Sequence, residues 1–109
     1  MARYLISFND GDMRFPREDL PAVAAASHAV VRQAQEAGVW IFGGGVDSHD
    51  VSIVGTDGSV DDTQVTRHIG GFSIIEVDSH AEALEWAAKI AASCRCAQEV
   101  REIMDDPEA

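Results

Sequence analysis

Four histidines give this chain its main capacity for chemistry: His28, His49, His68 and His80. An imidazole can give and take a proton near neutral pH, and it can also bind a metal ion. His80 is the first residue of a predicted capped helix, where its side chain is expected to face solvent. We therefore assign no role to His80 and consider the other three as candidates.

One loop combines an imidazole with two carboxylates, since His49 stands between Asp47 and Asp50. These groups can line the mouth of a pocket, or bind a divalent metal if His28 or His68 comes near, because carboxylates and imidazoles are common metal ligands. The spacing follows no recognised ligand pattern. We therefore expect no metal and no other cofactor, and we interpret His49 as a substrate-binding residue.

Arg67 and His68 stand just before a pair of glycines. Together they can meet an anionic group of a substrate, and we include both among the predicted substrate-binding residues. The alternative is that they belong to a solvated loop.

Cys94 and Cys96 have the spacing of half a metal site or of a redox pair. A zinc site needs four ligands, and the partners are missing from the sequence. If the segment is a strand, positions i and i+2 share a face, so we interpret both cysteines as small buried groups. Two cysteines this close give no disulfide framework, which favours a reduced, cytoplasmic setting.

Gly43–Gly45 is not a phosphate-binding loop, because no lysine and no following helix complete it. The glycines either let the strand bend, or let a ligand or partner chain approach the backbone closely. Trp40, just before them, is expected to lie in the core or in a dimer interface first, and in the wall of a pocket second.

The elements that must position these residues follow from the hydrophobic pattern. Helices are predicted over 17–37, opened by Pro16 or Pro21 and ended by Gly38, and from a Ser79–Glu82 capping box to about residue 92. The stretch 59–69 is either a loop or a ragged strand. The order β-α-β-β-β-α-β indicates a ferredoxin-like α+β fold, with strands predicted over 3–8, 39–42, 51–54, 72–77 and within 96–103.

The predicted sheet has more apolar surface than two helices can cover. The segment Val39 to Phe42 is apolar on both faces, and the strands at 4–8 and 72–77 are nearly so. Two helices cover one face of a four- or five-stranded sheet, and the other face needs a cover of its own. We therefore expect a homodimer packed sheet against sheet. The alternative is that long loops fold over the open face.

Length and charge limit the classes of protein that this sequence can belong to. The 109 residues, 11.7 kDa, suggest one domain over 1–109 with a frayed acidic tail at 105–109. Nineteen acidic against eight basic residues give a net charge of −11, which argues against nucleic acid or an anionic membrane as partner. The apolar runs are too short for a membrane span or a secretory signal.

Several segments, taken in order, resemble the YCII-related, or DGPF-domain, family. They include Arg3–Phe8, Glu36–Val39 running into the glycines, and Gly70–Ser79, with further matches at 83–87 and 99–101. The resemblance covers nearly the whole chain and implies a small dimeric α+β barrel. The Asp-Gly-Pro-Phe motif is missing, since Ser59–Asp62 stands in its expected place, so the role of that motif cannot be carried over.

The resemblance also implies a catalytic pair. Family members commonly place a histidine on the first helix near an aspartate in the loop after the second strand, and His28 and Asp47 match by position. Ser27 can instead occupy the place of the histidine. The pair implies a lyase, isomerase or cyclase acting on a small molecule by general acid–base chemistry. The alternatives are a non-catalytic ligand-binding or regulatory module and, third, a plain structural dimer.

Overall fold

The computed structural model describes residues 1–47, 51–61 and 68–109. Within these residues, no helix has both the length and the apolar composition needed to cross a membrane. The secondary structure runs β1 (Ala2–Asn9), a 3-10 turn (Arg17–Asp19), α1 (Leu20–Glu36), β2 (Trp40–Gly45), β3 (Ile53–Val54), β4 (Val60–Asp61), β5 (Ile69–Val77), α2 (His80–Cys94) and β6 (Glu99–Glu102).

A four-stranded antiparallel sheet in the order β2-β5-β1-β6 forms the body of the fold. The prediction of a ferredoxin-like α+β fold is confirmed. One strand differs from the expectation, because β3 does not join this sheet but pairs with β4 in a separate hairpin. The turn between them explains the pairing. Gly58 adopts φ +86°, and the Asp57 carboxylate accepts a hydrogen bond from the Ser59 backbone N–H at 3.0 Å. Hydrogen bonding to the Ser59 side chain, and second to its backbone, lowers the pKa of Asp57.

The first helix begins and ends as its sequence predicts. Pro21 lies in the first turn of α1, where its missing N–H is tolerated. Gly38 ends the helix with φ +75°, and the Val39 backbone N–H then reaches back to the Ala34 carbonyl oxygen at 3.0 Å.

The second helix has the predicted cap at its start. The Ser79 hydroxyl accepts a hydrogen bond from the Glu82 backbone N–H at 3.1 Å, and the Glu82 carboxylate accepts one from the Asp78 backbone N–H at 3.0 Å. The helix runs to Cys94, and Arg95 follows in the left-handed region with φ 57°. The interpretation of the cysteines as strand neighbours was therefore wrong, because this helix is longer than its apolar pattern indicates.

The core lies between both helices and one face of the sheet, which we call the helix face. Leu84 of α2 is apolar but lies outside this core and is 46% exposed. The small side chains Ala83 and Ala87 occupy the buried side of α2 instead, so the helix packs close to the sheet. The buried apolar cluster comprises Tyr4, Ile6, Ala34, Val39, Ile75, Val77, Ala83, Ala87 and Ile90.

The opposite side of the sheet, the open face, is apolar at its centre. The strand register places Leu5, Phe42, Phe72 and Ile74 on it. The Phe42 and Phe72 rings lie 5.9 Å apart, and Phe42 is 64% exposed. The chain is a slab with extents of 45 × 43 × 18 Å and a radius of gyration of 15.6 Å, against roughly 13 Å for a compact chain of this length.

The glycines of β2 make a specific prediction about stability. A Cβ atom on Gly43 would lie 2.5 Å from the Phe72 carbonyl oxygen and 2.9 Å from the Ser73 Cα atom, both of them backbone atoms. A Cβ atom on Gly44 would have nothing within 4 Å. Gly43→Ala is expected to lower the free energy of unfolding by about 2 kcal/mol or more, because β2 and β5 must separate. The measurement is urea denaturation.

Gly44→Ala is the matched control, one residue away on the same strand. It is expected to leave stability unchanged or to raise it by up to about 1 kcal/mol, because alanine restricts the unfolded chain. Equal destabilisation by both substitutions would contradict the close approach at Gly43.

Candidate functional site

A cavity of about 700 Å³ opens between the helix face of the sheet and the two helices. Its volume lies in the range of small-molecule sites, roughly 300–1,000 Å³. The sheet forms the floor, the helices form two walls, and the loop after β1 forms the rim. The residues that line it include Phe8, Trp40, Gly43, Gly70 and Ser73 from the sheet, Ser27, His28, Val31 and Gln35 from α1, Ile90, Ser93 and Cys94 from α2, and Asp10, Met13, Phe15 and Gln98 from the loops.

Glycines at three positions of the sheet let two aromatic rings of the floor lie close to the backbone. A Cβ atom on Gly70 or Gly71 would lie 2.7 Å from a carbon of the Phe8 ring, and one on Gly43 would lie 2.9 Å from Cη2 of Trp40. The two rings therefore lie directly against glycine backbone, which leaves the space above them open. At Gly43 the groups that approach the backbone closely are β5 and Trp40 of the same chain, which neither explanation for Gly43–Gly45 had named.

The edge of α1 presents both His28 and Ser27 to the cavity. The Ser27 hydroxyl lies 3.5 Å from the Cys94 sulfur and is half-buried, so it is tied to α2. His28 is exposed and lies toward solvent. The residue that can meet both a ligand and water is therefore His28.

The other predicted site residues fall into three groups. Trp40 lines the same cavity as His28 and packs against the core cluster. Asp47 follows the end of β2, is exposed, and is not among the lining residues. His49 and Arg67 lie outside the described residues.

His68 lies just before β5 and does not line the cavity, but it supports the rim. Its carbonyl oxygen accepts a hydrogen bond from the Asp10 backbone N–H at 3.0 Å. Its Nδ1 atom is buried and has no hydrogen-bond partner among the residues that the structure describes.

Comparison with known proteins assigns the chain to a family. The sequence model of the YCII-related domain matches residues 2–106, nearly the whole chain. The chain belongs to the YCII-related family. A search of curated proteins found no match. In this YCII-related chain, residues 59–61, where the Asp-Gly-Pro-Phe motif is expected, lie in the outer part of the β3–β4 hairpin.

Sequence reasoning missed the rim of the cavity in this YCII-related chain. Asp10, Met13 and Phe15 all line it, and they lie in the loop between β1 and the 3-10 turn. A tight turn fixes the start of this loop, since Gly11 adopts φ +88° and the Asp12 backbone N–H donates to the Asn9 carbonyl oxygen at 3.2 Å. The turn composition was visible in the sequence, but it gave no direction for the side chains.

The thiols lie at the far end of the cavity. Cys94 lines it, whereas Cys96 accepts a hydrogen bond from the Gln98 amide nitrogen at 3.5 Å. Burial raises the pKa of the Cys96 thiol, and Cys94 and Asp12 contribute in the same direction. Cys96 therefore stays protonated near neutral pH and behaves as a structural group. Among the described residues, no cluster of His, Cys, Asp and Glu has the geometry to hold a metal ion.

Proposed function

We propose that this protein is a small-molecule enzyme in which His28 transfers a proton, in a lyase, isomerase or cyclase type of reaction. The observation that carries the proposal is the position of His28 on the wall of a cavity of about 700 Å³ with an aromatic floor. An imidazole in such a place can act as acid or base near neutral pH. The two free thiols, Cys94 and Cys96, fit a reducing, cytoplasmic setting.

A carboxylate partner for His28 would hold the imidazole in one tautomer. The family resemblance predicts Asp47 for this role, and Asp47 follows directly on the strand whose Gly45 lines the cavity. We propose that Asp47 orients His28 from outside the ligand space. His49, His68 and Arg67 remain proposed substrate-binding residues.

The test uses compounds with acidic C–H bonds, namely lactones and cyclic enones. Each compound is incubated with the protein in D₂O, and deuterium incorporation or product formation is followed by NMR. His28→Ala is expected to slow any reaction roughly 10²–10⁴-fold, because it removes the proton-transfer group. Asp47→Asn is expected to slow it by a smaller factor.

His80→Ala is the matched control. His80 lies at the start of α2, where its ring is 5.7 Å from the Tyr4 ring, and it does not line the cavity. Its removal is expected to leave the rate unchanged. If His28→Ala turns over substrate as fast as the unaltered protein, the enzyme proposal fails, and a non-catalytic ligand-binding module becomes the better account of the cavity.

We further propose that the protein is a homodimer packed through the open faces of its sheets. The centre of this face is apolar, and two ion pairs border it. Arg3 contacts Glu76 at 2.9 Å, and Arg101 contacts Glu99 at 3.0 Å. An apolar centre within a polar rim is the usual anatomy of a protein interface. Twofold symmetry would place each phenylalanine pair in the same interface.

The dimer predicts a mass of twice 11.7 kDa by light scattering after size-exclusion chromatography. Phe42→Asp is expected to weaken association at least about tenfold, because two carboxylates would be buried in a symmetric interface. The control is Leu84→Asp, since Leu84 is also an exposed apolar residue, 46% exposed, but lies on the outer side of α2. Leu84→Asp should remain dimeric, and a folded monomer of the unaltered chain at high concentration would refute the proposal.

A further inference from the structure

We infer that Asp10 makes the cavity selective against anions, so that its ligand is a flat ring molecule without a negative charge. The inference rests on the proposed function in one respect, since it takes the cavity at His28 as the ligand site. It goes further by naming the class of ligand and the residue that selects it.

The shape of the floor favours a ring. The Phe8 and Trp40 rings lie close to glycine backbone, and Phe15 adds a third aromatic side chain from the rim. Aromatic surfaces of this kind stack well with a planar apolar ligand. A floor of three aromatic groups is the part of the site that supplies binding energy.

Two polar groups of the walls are already engaged as donors within the chain. The Ser93 hydroxyl donates to the Ile90 carbonyl oxygen at 2.9 Å, and the Gln98 amide donates to the Cys96 carbonyl oxygen at 3.3 Å. The Ser27 hydroxyl is shared with the Cys94 sulfur. A buried anion needs several donors to replace its water. The engaged Ser93 hydroxyl and Gln98 amide keep oxygen lone pairs, which suit a ligand that donates a hydrogen bond.

The negative charge at the rim also disfavours the binding of an anionic ligand. Among the described residues that line the cavity, Asp10 is the one with a permanent charge at neutral pH. The backbone fixes its position, because its N–H donates to the His68 carbonyl oxygen at 3.0 Å and its Cα atom lies 3.2 Å from the site of a Cβ atom on Gly70. The chain as a whole carries −11, so the field at the mouth repels anions.

The experiment compares two probes of the same shape, 2-naphthamide and 2-naphthoate, by isothermal titration calorimetry. The naphthoate is expected to bind roughly tenfold more weakly or worse, because its negative charge meets that of Asp10. Asp10→Asn should reduce the ratio of the two dissociation constants roughly fivefold. Asp12→Asn is the matched control, since it removes one charge from the same exposed loop but from a residue that does not line the cavity, and it should leave the difference unchanged.

The two tryptophans locate the probe. Trp40 lines the cavity, whereas Trp86 lies on α2 beneath Lys89, whose nitrogen is 4.7 Å from the ring centre. Naphthamide is expected to shift the Trp40 indole N–H signal in the NMR spectrum and to leave that of Trp86 in place. Failure to shift the Trp40 signal at the solubility limit of the probe would overturn the inference.

Two other results would also overturn it. One is that naphthoate binds as tightly as naphthamide. In that case, a loss of naphthoate affinity in an Arg67→Ala variant would show that Arg67 supplies an anion site. The other is an Asp10→Asn variant with unchanged discrimination. The enzyme proposal is tested separately, because the cavity can be selective for naphthamide even if His28→Ala leaves the rate of turnover unchanged.

Discussion

Two helices must cover a four-stranded sheet in this protein, and they can cover only one face of it. Their packing on the helix face buries Tyr4, Ile6 and Ile75 and builds the core. It also leaves the other face apolar, with Phe42 mostly exposed. The slab shape of the chain follows from this arrangement. The enzyme and dimer proposals both derive from it, because the covered face holds the cavity and we propose that a second copy covers the open face.

The cavity exists because small residues stand where large ones would fill it. Glycine at positions 43, 70 and 71 lets the Phe8 and Trp40 rings lie against the backbone of the sheet. The first helix then passes over these rings with Ser27 and His28 on its near edge. The same contact that allows β2 and β5 to pair closely therefore also gives the site its aromatic floor. The close pairing of the strands and the shape of the cavity floor therefore depend on one set of glycines.

The sequence predicted the helices and the main strands well, because their signals are local. Gly38 and the Ser79–Glu82 cap mark helix ends through nearby hydrogen bonds. The pairing of β3 was beyond such reasoning, since a strand of two residues can join either the main sheet or its neighbour. For the candidate site, the structure brings two of the predicted residues together. His28 and Trp40 meet at one cavity, but the contribution of Asp10 depends on the path of a loop, which no periodicity encodes.

We propose that the open face is buried between two copies of the chain. Hydroxyl-radical footprinting across a dilution series tests this burial most directly. Phe42 is 64% exposed in a single chain and Leu84 is 46% exposed on the far side, so Leu84 serves as the internal reference. The account predicts that Phe42 is protected at high protein concentration and reacts faster, relative to Leu84, as the protein is diluted. A constant ratio of the two rates, with Phe42 fully reactive at every concentration, would contradict it.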